Sequence, residues 1–159
     1  MEEKMKDSIL EFICNGIDDR GKFSIENTGR GQNNSPEFII KNLSSKAKTL
    51  AITLEDLNHP IKEFTHWIIG NIPATEKIKQ AIPAGKIVSS FGNAIQGIGY
   101  GFHQYAGPKP PKGKKHIYRF TIYSLDCELD LRANSMKKRF LRKAENHILQ
   151  KGSIIEEFE

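Results

Sequence analysis

Cysteine, tryptophan and long apolar runs are all scarce in this chain of 159 residues. It contains 2 cysteines and 1 tryptophan. Cys14 and Cys127 lack the C-x-x-C spacing of metal-binding motifs, so we expect two buried, reduced thiols in strands, with a disulfide between them as the alternative. No apolar stretch approaches the roughly 20 residues that span a bilayer, which excludes stable membrane insertion.

Signals for export and for common catalytic groups are also missing. The first residues, Met1 to Asp7, carry acidic side chains and no adjoining apolar segment, so the sequence predicts no secretory signal and a cytoplasmic protein. There is no G-x-S-x-G motif, and no serine or cysteine adjoins a histidine. Hydrolysis by a serine or cysteine nucleophile is therefore not expected.

The size and composition are those of one globular domain. A length of 159 residues, with 38% hydrophobic and 27% charged residues, predicts a single domain over residues 1–159. The net charge of +5 favours anionic partners. Basic residues concentrate in a proline-rich loop and on a later helix. That helix lacks an aromatic platform, so we expect no nucleic-acid binding.

Alternation of apolar and polar residues predicts several strands. The clearest are 49–56 and His116 to Leu125, and the apolar segment from Phe64 to Ile72 reads as a buried central strand. Shorter candidates are 9–14, 21–26 and 37–42. Residues 74–83 are predicted as a helical turn or irregular link, and residues 87–111 as a long loop without regular elements.

A single helix is predicted late in the chain. Asn134 or Ser135 can cap it, apolar residues then recur at helical spacing from Met136 to Leu149, and Gly152 would end it. A terminal strand follows at 153–158. Many short strands with one helix indicate an antiparallel β-sandwich with a helix packed at one end.

The segment from Gly107 to Phe120 is the most distinctive motif. Its prolines, Pro108, Pro110 and Pro111, fix the backbone and remove amide donors, and the segment leads into His116 at the start of a predicted strand. A stiff loop beside a strand-borne histidine is typical of a wall around a small-ligand site.

Together with two upstream motifs, this segment resembles the phosphatidylethanolamine-binding protein family, in particular its bacterial and archaeal Raf-kinase-inhibitor-like branch. The matching positions run along nearly the whole chain: Asp56 and Pro60, His66 beside Trp67, Gly107 to Pro111, His116, and Tyr118. The chain departs from the family pattern at three positions near the site. Leu57 replaces a proline, Asn58 an aspartate, and Ile117 an arginine.

The resemblance implies a fold of two antiparallel sheets with Greek-key connections. It also implies a non-catalytic protein, without cofactor or metal, that binds a small anion such as a phosphate head group. The ligand-binding residues would be Asp56, His66, Gly107, Pro108, Pro110, Pro111, His116 and Tyr118. A kinase or protease is the implied protein partner, and the protein would be a monomer or homodimer.

Two points follow from the residues themselves. If Asp56 ends one strand and His66 opens the next, antiparallel pairing brings these two side chains within reach of each other. Trp67 should lie in the core with its side chain facing opposite to His66. An alternative function remains open, a metal-binding or hydrolytic enzyme that uses His66, His116 and Asp56 as a two-histidine, one-carboxylate face.

Overall fold

A computed structural model describes residues 9–159 as two antiparallel β-sheets and one α-helix. The nine strands and the helix follow one another in this order: β1 (Phe12–Cys14), β2 (Phe38–Ile40), β3 (Thr49–Asp56), β4 (Phe64–Pro73), β5 (Lys77–Ile78), β6 (Ile87–Val88), β7 (Ala94–Gln96), β8 (His116–Leu125), α1 (Lys137–Ala144) and β9 (Ile148–Phe158). Short 3-10 turns occur at Ile25–Asn27 and Ser89–Phe91. The predicted mainly β fold with antiparallel sheets is confirmed.

The larger sheet places β3 at its centre. Its strand order is β6-β7-β4-β3-β8-β9, and every pairing is antiparallel. All eight side chains of β3 are buried because both of its edges are paired and both of its faces are covered. The predicted bounds of β3 and β8 are those observed, since both strands carry the alternation over their full length.

The smaller sheet, in the order β1-β2-β5, covers one face of the larger one. The core between them contains aromatic rings from both sheets, and Phe38 of β2 lies 5.1 Å from Phe120 of β8 between ring centroids. This two-layer packing is the predicted sandwich. Strand β5 lies inside the segment predicted as a helical turn or link, and β6 and β7 lie inside the predicted long loop. Two or three residues are too few to show alternation.

The helix packs on the outer face of the larger sheet, and not at one end of the sandwich. Phe140 and Ala144 are its buried residues, and they join a second apolar cluster with Ala51, Ile68 and Leu125. A Cβ at Gly70 would lie 2.5 Å from the Phe140 ring, so glycine permits this close approach. Helix α1 thus completes a three-layer arrangement.

The helix is shorter than predicted. It ends at Ala144, and the apolar residues Ile148 and Leu149 belong to β9. Gly152 is not a helix stop, because it pairs with Ile122 and leaves room for the Leu10 carbonyl, which a Cβ would approach to 1.9 Å. The N-cap is Met136, without a side-chain cap hydrogen bond, so neither Asn134 nor Ser135 has the predicted capping role.

Both cysteines are free. Cys14 is buried in β1 as predicted, whereas Cys127 is half-buried and lies beyond the end of β8. The expectation of a buried strand thiol is therefore wrong for Cys127. Within residues 9–159, no helix combines the length and apolar character needed to cross a membrane.

Candidate functional site

Three of the predicted site residues meet where β3, β4 and β8 adjoin at one end of the larger sheet. Asp56 is the last residue of β3 and pairs in register with Tyr118 of β8 on one side and Phe64 of β4 on the other. His116 is the first residue of β8, and His66 lies two residues after Phe64. The pairing of β3 with both neighbours therefore gathers these side chains.

Asp56 forms a hydrogen bond with His116. His116 Nδ1 lies 2.7 Å from Asp56 Oδ2, and the Asp56 side chain is almost fully buried. The other carboxylate oxygen, Oδ1, accepts the Asn58 amide at 2.9 Å. Asp56 also lies close enough to His66 for its charge to oppose part of the lowering of the His66 pKa by burial, which agrees with the predicted proximity, but its hydrogen bond goes to His116. The carboxylate reaches β8, the other neighbour of β3.

Asn58 connects the Asp56 turn to the start of β8. Its Oδ1 accepts the Ile117 amide at 2.6 Å, and the Leu57 amide donates to the Ile117 carbonyl at 2.7 Å. An aspartate at position 58 could accept the same amide, so the departure from the family pattern keeps this hydrogen bond and removes a negative charge beside Asp56. The side chain of Ile117 is partly exposed.

His66 is the additional residue of a β-bulge in β4. Leu54 pairs with Trp67 and Glu55 with Thr65, so His66 has no partner of its own in β3. A bulge interrupts the alternation of side chains. As a result, both His66 and Trp67 face the core between the sheets.

The ring contacts show this shared direction. The His66 ring lies 5.5 Å from Tyr118, and the Trp67 ring lies 5.1 Å from Tyr105. Tyr105 and Tyr118 belong to the same core cluster. Trp67 is fully buried, which confirms its predicted place in the core. The expectation that it faces opposite to His66 is wrong.

Burial keeps His66 neutral at ordinary pH. Desolvation lowers the pKa of His66, and the Ala106 carbonyl only partly opposes this effect. His66 Nδ1 lies 2.8 Å from that carbonyl oxygen. Because a carbonyl can only accept, Nδ1 carries the hydrogen, and in the neutral ring Nε2 is an acceptor.

Tyr118 lies between the two imidazoles. Its ring centroid is 5.5 Å from that of His66 and 6.3 Å from that of His116. The residue is fully buried, and its hydroxyl finds no acceptor among the described residues, although the Lys109 amide lies close enough to oppose part of the rise in its pKa. Burial, and then the Asp56 charge, raise the pKa of Tyr118 far above its usual value, so the hydroxyl stays protonated. It is a buried donor without an acceptor, beside two histidines.

The proline-rich loop is fastened to the segment 29–33 through backbone groups. The Gly107 amide donates to Asn33 Oδ1 at 2.7 Å, and the Pro108 carbonyl accepts the Gly29 amide at 2.9 Å. At Gly107 a Cβ would lie 2.2 Å from the Asn27 carbonyl, so only glycine fits there. These contacts hold the loop directly after Ala106, whose carbonyl orients His66.

The three prolines differ in their surroundings. Pro108 and Pro110 are buried, and the Pro110 carbonyl accepts the Arg30 guanidinium at 2.8 Å. Pro111 is exposed, and its carbonyl accepts the Lys114 amide within a turn at 2.9 Å. Pro108 and Pro110 are therefore packed against the rest of the protein, whereas Pro111 lies at the surface.

Two aromatic side chains, Phe64 and Tyr100, lie against the His66 ring, and no sequence motif marks them as a group. Tyr100 is 58% exposed, and its ring centroid lies 5.2 Å from that of His66. Phe64 contacts both His66 and Tyr100 and is stacked on His59 at 3.9 Å. Only the position of Phe64, two residues before His66 in one strand, was a usable signal. Tyr100 lies 34 residues away, in a segment without periodicity.

His66, His116 and Asp56 do not form a three-ligand metal face. Within residues 9–159, the one group of three metal-ligating side chains whose ligand atoms all lie within 4.8 Å of one another is elsewhere. Here Nδ1 of His116 is engaged by Asp56, and Nδ1 of His66 by a carbonyl. The arrangement instead leaves Nε2 of each ring as the atom that can meet a ligand.

Comparisons with known proteins agree with this structure. A family model described as phosphatidylethanolamine-binding protein matches residues 15–159. A UPF0098 protein of Pyrococcus horikoshii is 33% identical over 156 residues, 97% of this chain and 77% of that protein. A UPF0098 protein of Methanothermobacter thermautotrophicus is 34% identical over 149 residues, 92% of this chain and 96% of that protein.

Solved structures show the same fold. Escherichia coli YbcL, described as a new member of the mammalian PEBP family, superposes with a TM-score of 0.81 at 23% identity, covering 94% of this chain and 98% of that one. The Chlamydia trachomatis protein CT736, described as a putative PEBP homolog, gives a TM-score of 0.79 at 21% identity, covering 96% of this chain and 98% of that one.

Proposed function

Since the chain belongs to the phosphatidylethanolamine-binding protein family, we propose that it is a non-catalytic binding protein for small anionic ligands of the phosphate head-group type. The ligand would lie against His66, His116 and Tyr118 at the end of the larger sheet. Asp56 orients His116, and the loop Gly107 to Pro111 supports the His66 side.

The observation that carries this proposal is the buried Tyr118 hydroxyl between two oriented imidazoles. Each imidazole has its Nδ1 held by an oxygen of the protein, Asp56 Oδ2 in one case and the Ala106 carbonyl in the other. A small oxyanion could accept from the hydroxyl and meet both Nε2 atoms. Buried polar groups are normally satisfied, and a ligand oxygen is the partner that these surroundings suit.

The two histidines favour an oxyanion that carries a proton. A neutral His66 offers an acceptor at Nε2, so a bare dianion would face a lone pair there. A phosphate monoester loses its second proton near pH 6, so part of it is monoanionic near neutrality. Its P–OH group can donate to His66 while another of its oxygens accepts from the Tyr118 hydroxyl.

Replacing His116 with alanine should remove binding and leave the fold intact. A small head group with few buried atoms is expected to bind with millimolar to micromolar affinity, about −4 to −8 kcal/mol. His116→Ala removes one of the contacts and leaves Asp56 as an uncompensated negative charge, so we expect affinity to fall at least about tenfold, about 1.4 kcal/mol. The side chain is 13% exposed at the first position of β8, where few core contacts depend on it.

The measurement is titration of phosphoethanolamine into both proteins, followed by amide NMR shifts. His147→Ala is the matched control, because His147 lies just before β9, beside the other end of β8, and this variant should bind normally. Ethanolamine alone tests whether the ammonium group suffices. Equal responses of wild type and His116→Ala, or shifted amides far from residues 56–66 and 100–118, would place the ligand elsewhere.

The affinity for an anion of constant charge should rise as the pH is lowered. His66 has a lowered pKa, so it becomes cationic, and a donor at Nε2, only below the usual imidazole range near 6.5. The His66-dependent part of sulfate binding is therefore absent at pH 7 and appears only as the pH falls below the usual imidazole range. Sulfate titrations from pH 5 to pH 8 on wild type and His66→Gln measure it. Parallel pH profiles for the two proteins would contradict this assignment.

Regulation of a kinase or protease partner and a cytoplasmic location stay predictions of the family resemblance and of the sequence. The lysines of the proline-rich loop are exposed beside the site, at positions 109, 112, 114 and 115. They could attract an anionic partner by long-range electrostatics. Loss of a partner's binding when these lysines are replaced, with unchanged phosphoethanolamine affinity, would separate the protein-binding role from the head-group site.

A further inference from the structure

A second cluster of chemically reactive side chains lies at the opposite end of β8 from the anion site. Asp126 and Cys127 directly follow the last residue of β8, and His147 directly precedes β9. The two strands pair with Leu125 opposite Ile148, so the residues just beyond each end are brought together. The connection between the two strands includes helix α1, so Asp126 and Cys127 are far from His147 in the sequence although they are close in space.

Hydrogen bonds fix the backbone of all three residues. The Asp126 amide donates to the His147 carbonyl at 3.0 Å, which extends the strand pairing by one position. The Cys127 carbonyl accepts the Thr49 hydroxyl at 2.8 Å, and the His147 amide donates to the Ala144 carbonyl at the end of α1 at 2.8 Å. Three different elements, β3, β8 and α1, thus hold the cluster in place.

The side chains converge on one point. His147 Nδ1 lies 3.0 Å from Asp126 Oδ1, and one ligand atom from each of Asp126, Cys127 and His147 lies within 4.8 Å of the others. Around a tetrahedral zinc ion, bond lengths of about 2.0–2.3 Å separate the ligand atoms by roughly 3–4 Å. The ligand atoms would therefore have to move closer together to bind zinc. The side chains of Asp126 and His147 are 46% and 43% exposed, so small rotations of these side chains can bring the ligand atoms together.

We propose that Asp126, Cys127 and His147 form a binding site for a divalent transition metal of the zinc class. Sulfur, imidazole nitrogen and a carboxylate oxygen together suit zinc or cobalt, whereas calcium and magnesium prefer oxygen ligands alone. Three protein ligands on a half-exposed surface leave a fourth tetrahedral position for water or another ligand. This site is separate from His66, His116 and Asp56, and it does not depend on the anion-binding proposal.

Cobalt titration of the full-length, reduced protein tests this site directly. A thiolate–cobalt charge-transfer band should appear and saturate at one equivalent, and zinc should displace it. Cys127→Ser should abolish the band, and His147→Ala should weaken zinc binding roughly 100-fold or more, because even the loss of an outer-shell partner costs about 10–100-fold. Circular dichroism confirms that each variant is folded.

Two matched controls locate the ion. Cys14→Ala removes the other thiol, and His116→Ala removes a histidine at the far end of the same strand, and both should keep the band. Zinc should also slow alkylation of Cys127 in the unaltered protein. A band that survives Cys127→Ser, a band lost in Cys14→Ala or His116→Ala, no saturation at one equivalent, or unchanged alkylation with zinc would each overturn the proposal.

Discussion

Replacing Trp67 with alanine should lower the free energy of unfolding by about 3–5 kcal/mol, the range typical of deleting a large buried ring. Trp67 is fully buried against Tyr105. Its Nε1 donates to Gln96 Oε1 at 2.7 Å, and Gln96 is itself fully buried. The substitution therefore opens a cavity and also leaves a buried acceptor without its donor, which adds about 1–3 kcal/mol.

The loss of stability should extend to the loop beside the proposed anion site. The Gln96 amide donates to the carbonyls of Pro83, Gly85 and His103, so its orientation depends on the hydrogen bond from Trp67. Trp67→Phe is the matched variant, because it keeps an aromatic ring and removes only the N–H donor and part of the volume. We expect it to cost less than Trp67→Ala.

The measurement is denaturant unfolding followed by far-ultraviolet circular dichroism, since both variants lack the chain's one tryptophan as a fluorophore. A cost below about 1.5 kcal/mol for Trp67→Ala would show that this part of the core tolerates the cavity.

Raising the pH from 7 to 9 should destabilise the protein through Glu156. This residue of β9 faces the core, is 2% exposed, and neither carboxylate oxygen has a hydrogen-bond partner among the described residues. Burial raises the pKa of Glu156 from 4.5 to about 9. The folded state therefore holds a proton that the unfolded state releases above about pH 4.5, and stability falls as the pH rises toward 9.

The expected loss is up to about 1.4 kcal/mol per pH unit, about 2–3 kcal/mol between pH 7 and pH 9. This window isolates Glu156. The lowered pKa of His66 affects stability only below about 6.5, and the raised pKa values of Cys14 and Cys127 act above about 9.

Glu156→Gln should flatten this part of the profile. Glu157→Gln, at the neighbouring residue whose side chain pairs with Lys22 and Lys115, should leave the slope in place. Denaturant unfolding at several pH values measures both. An identical slope in wild type and Glu156→Gln would assign the effect to other groups.

The sequence predicted the long strands better than the short ones. Strands β3 and β8 are eight and ten residues long, so alternation is visible, and their bounds are those observed. Strands β5 and β6 have two residues each and depend on pairing with distant segments.

The helix was predicted too long because Ile148 and Leu149 continue its apolar spacing. Their pairing along β8, a contact between segments distant in sequence, decides their conformation.

The candidate site was predicted as a set of residues, and its internal contacts were not. Position at strand ends and the family resemblance identified Asp56, His66 and His116, and the structure brings them to one end of the sheet. The sequence did not indicate which histidine forms the hydrogen bond with Asp56. Strand β3 has two neighbours, and β4, which carries His66, is the one that follows β3 directly in the sequence. The partners of the proline-rich loop, Asn33 and Arg30, lie about 75–80 residues away from it in the chain and carry no local signal.

The bulge at His66 means that the number of residues in β4 decides whether this imidazole reaches the proposed site. The ladder between β3 and β4 shifts register twice, once between Leu50 and Ile52 and once at His66, which has no partner of its own. Deleting this one residue would let Trp67 follow Thr65 in normal alternation, and every pair on either side could remain. The same sandwich could then be encoded by a chain one residue shorter that lacks one imidazole of the proposed anion site. An alignment that treats position 66 as an insertion in the strand, and not as a substitution, would distinguish relatives with both imidazoles from relatives with one.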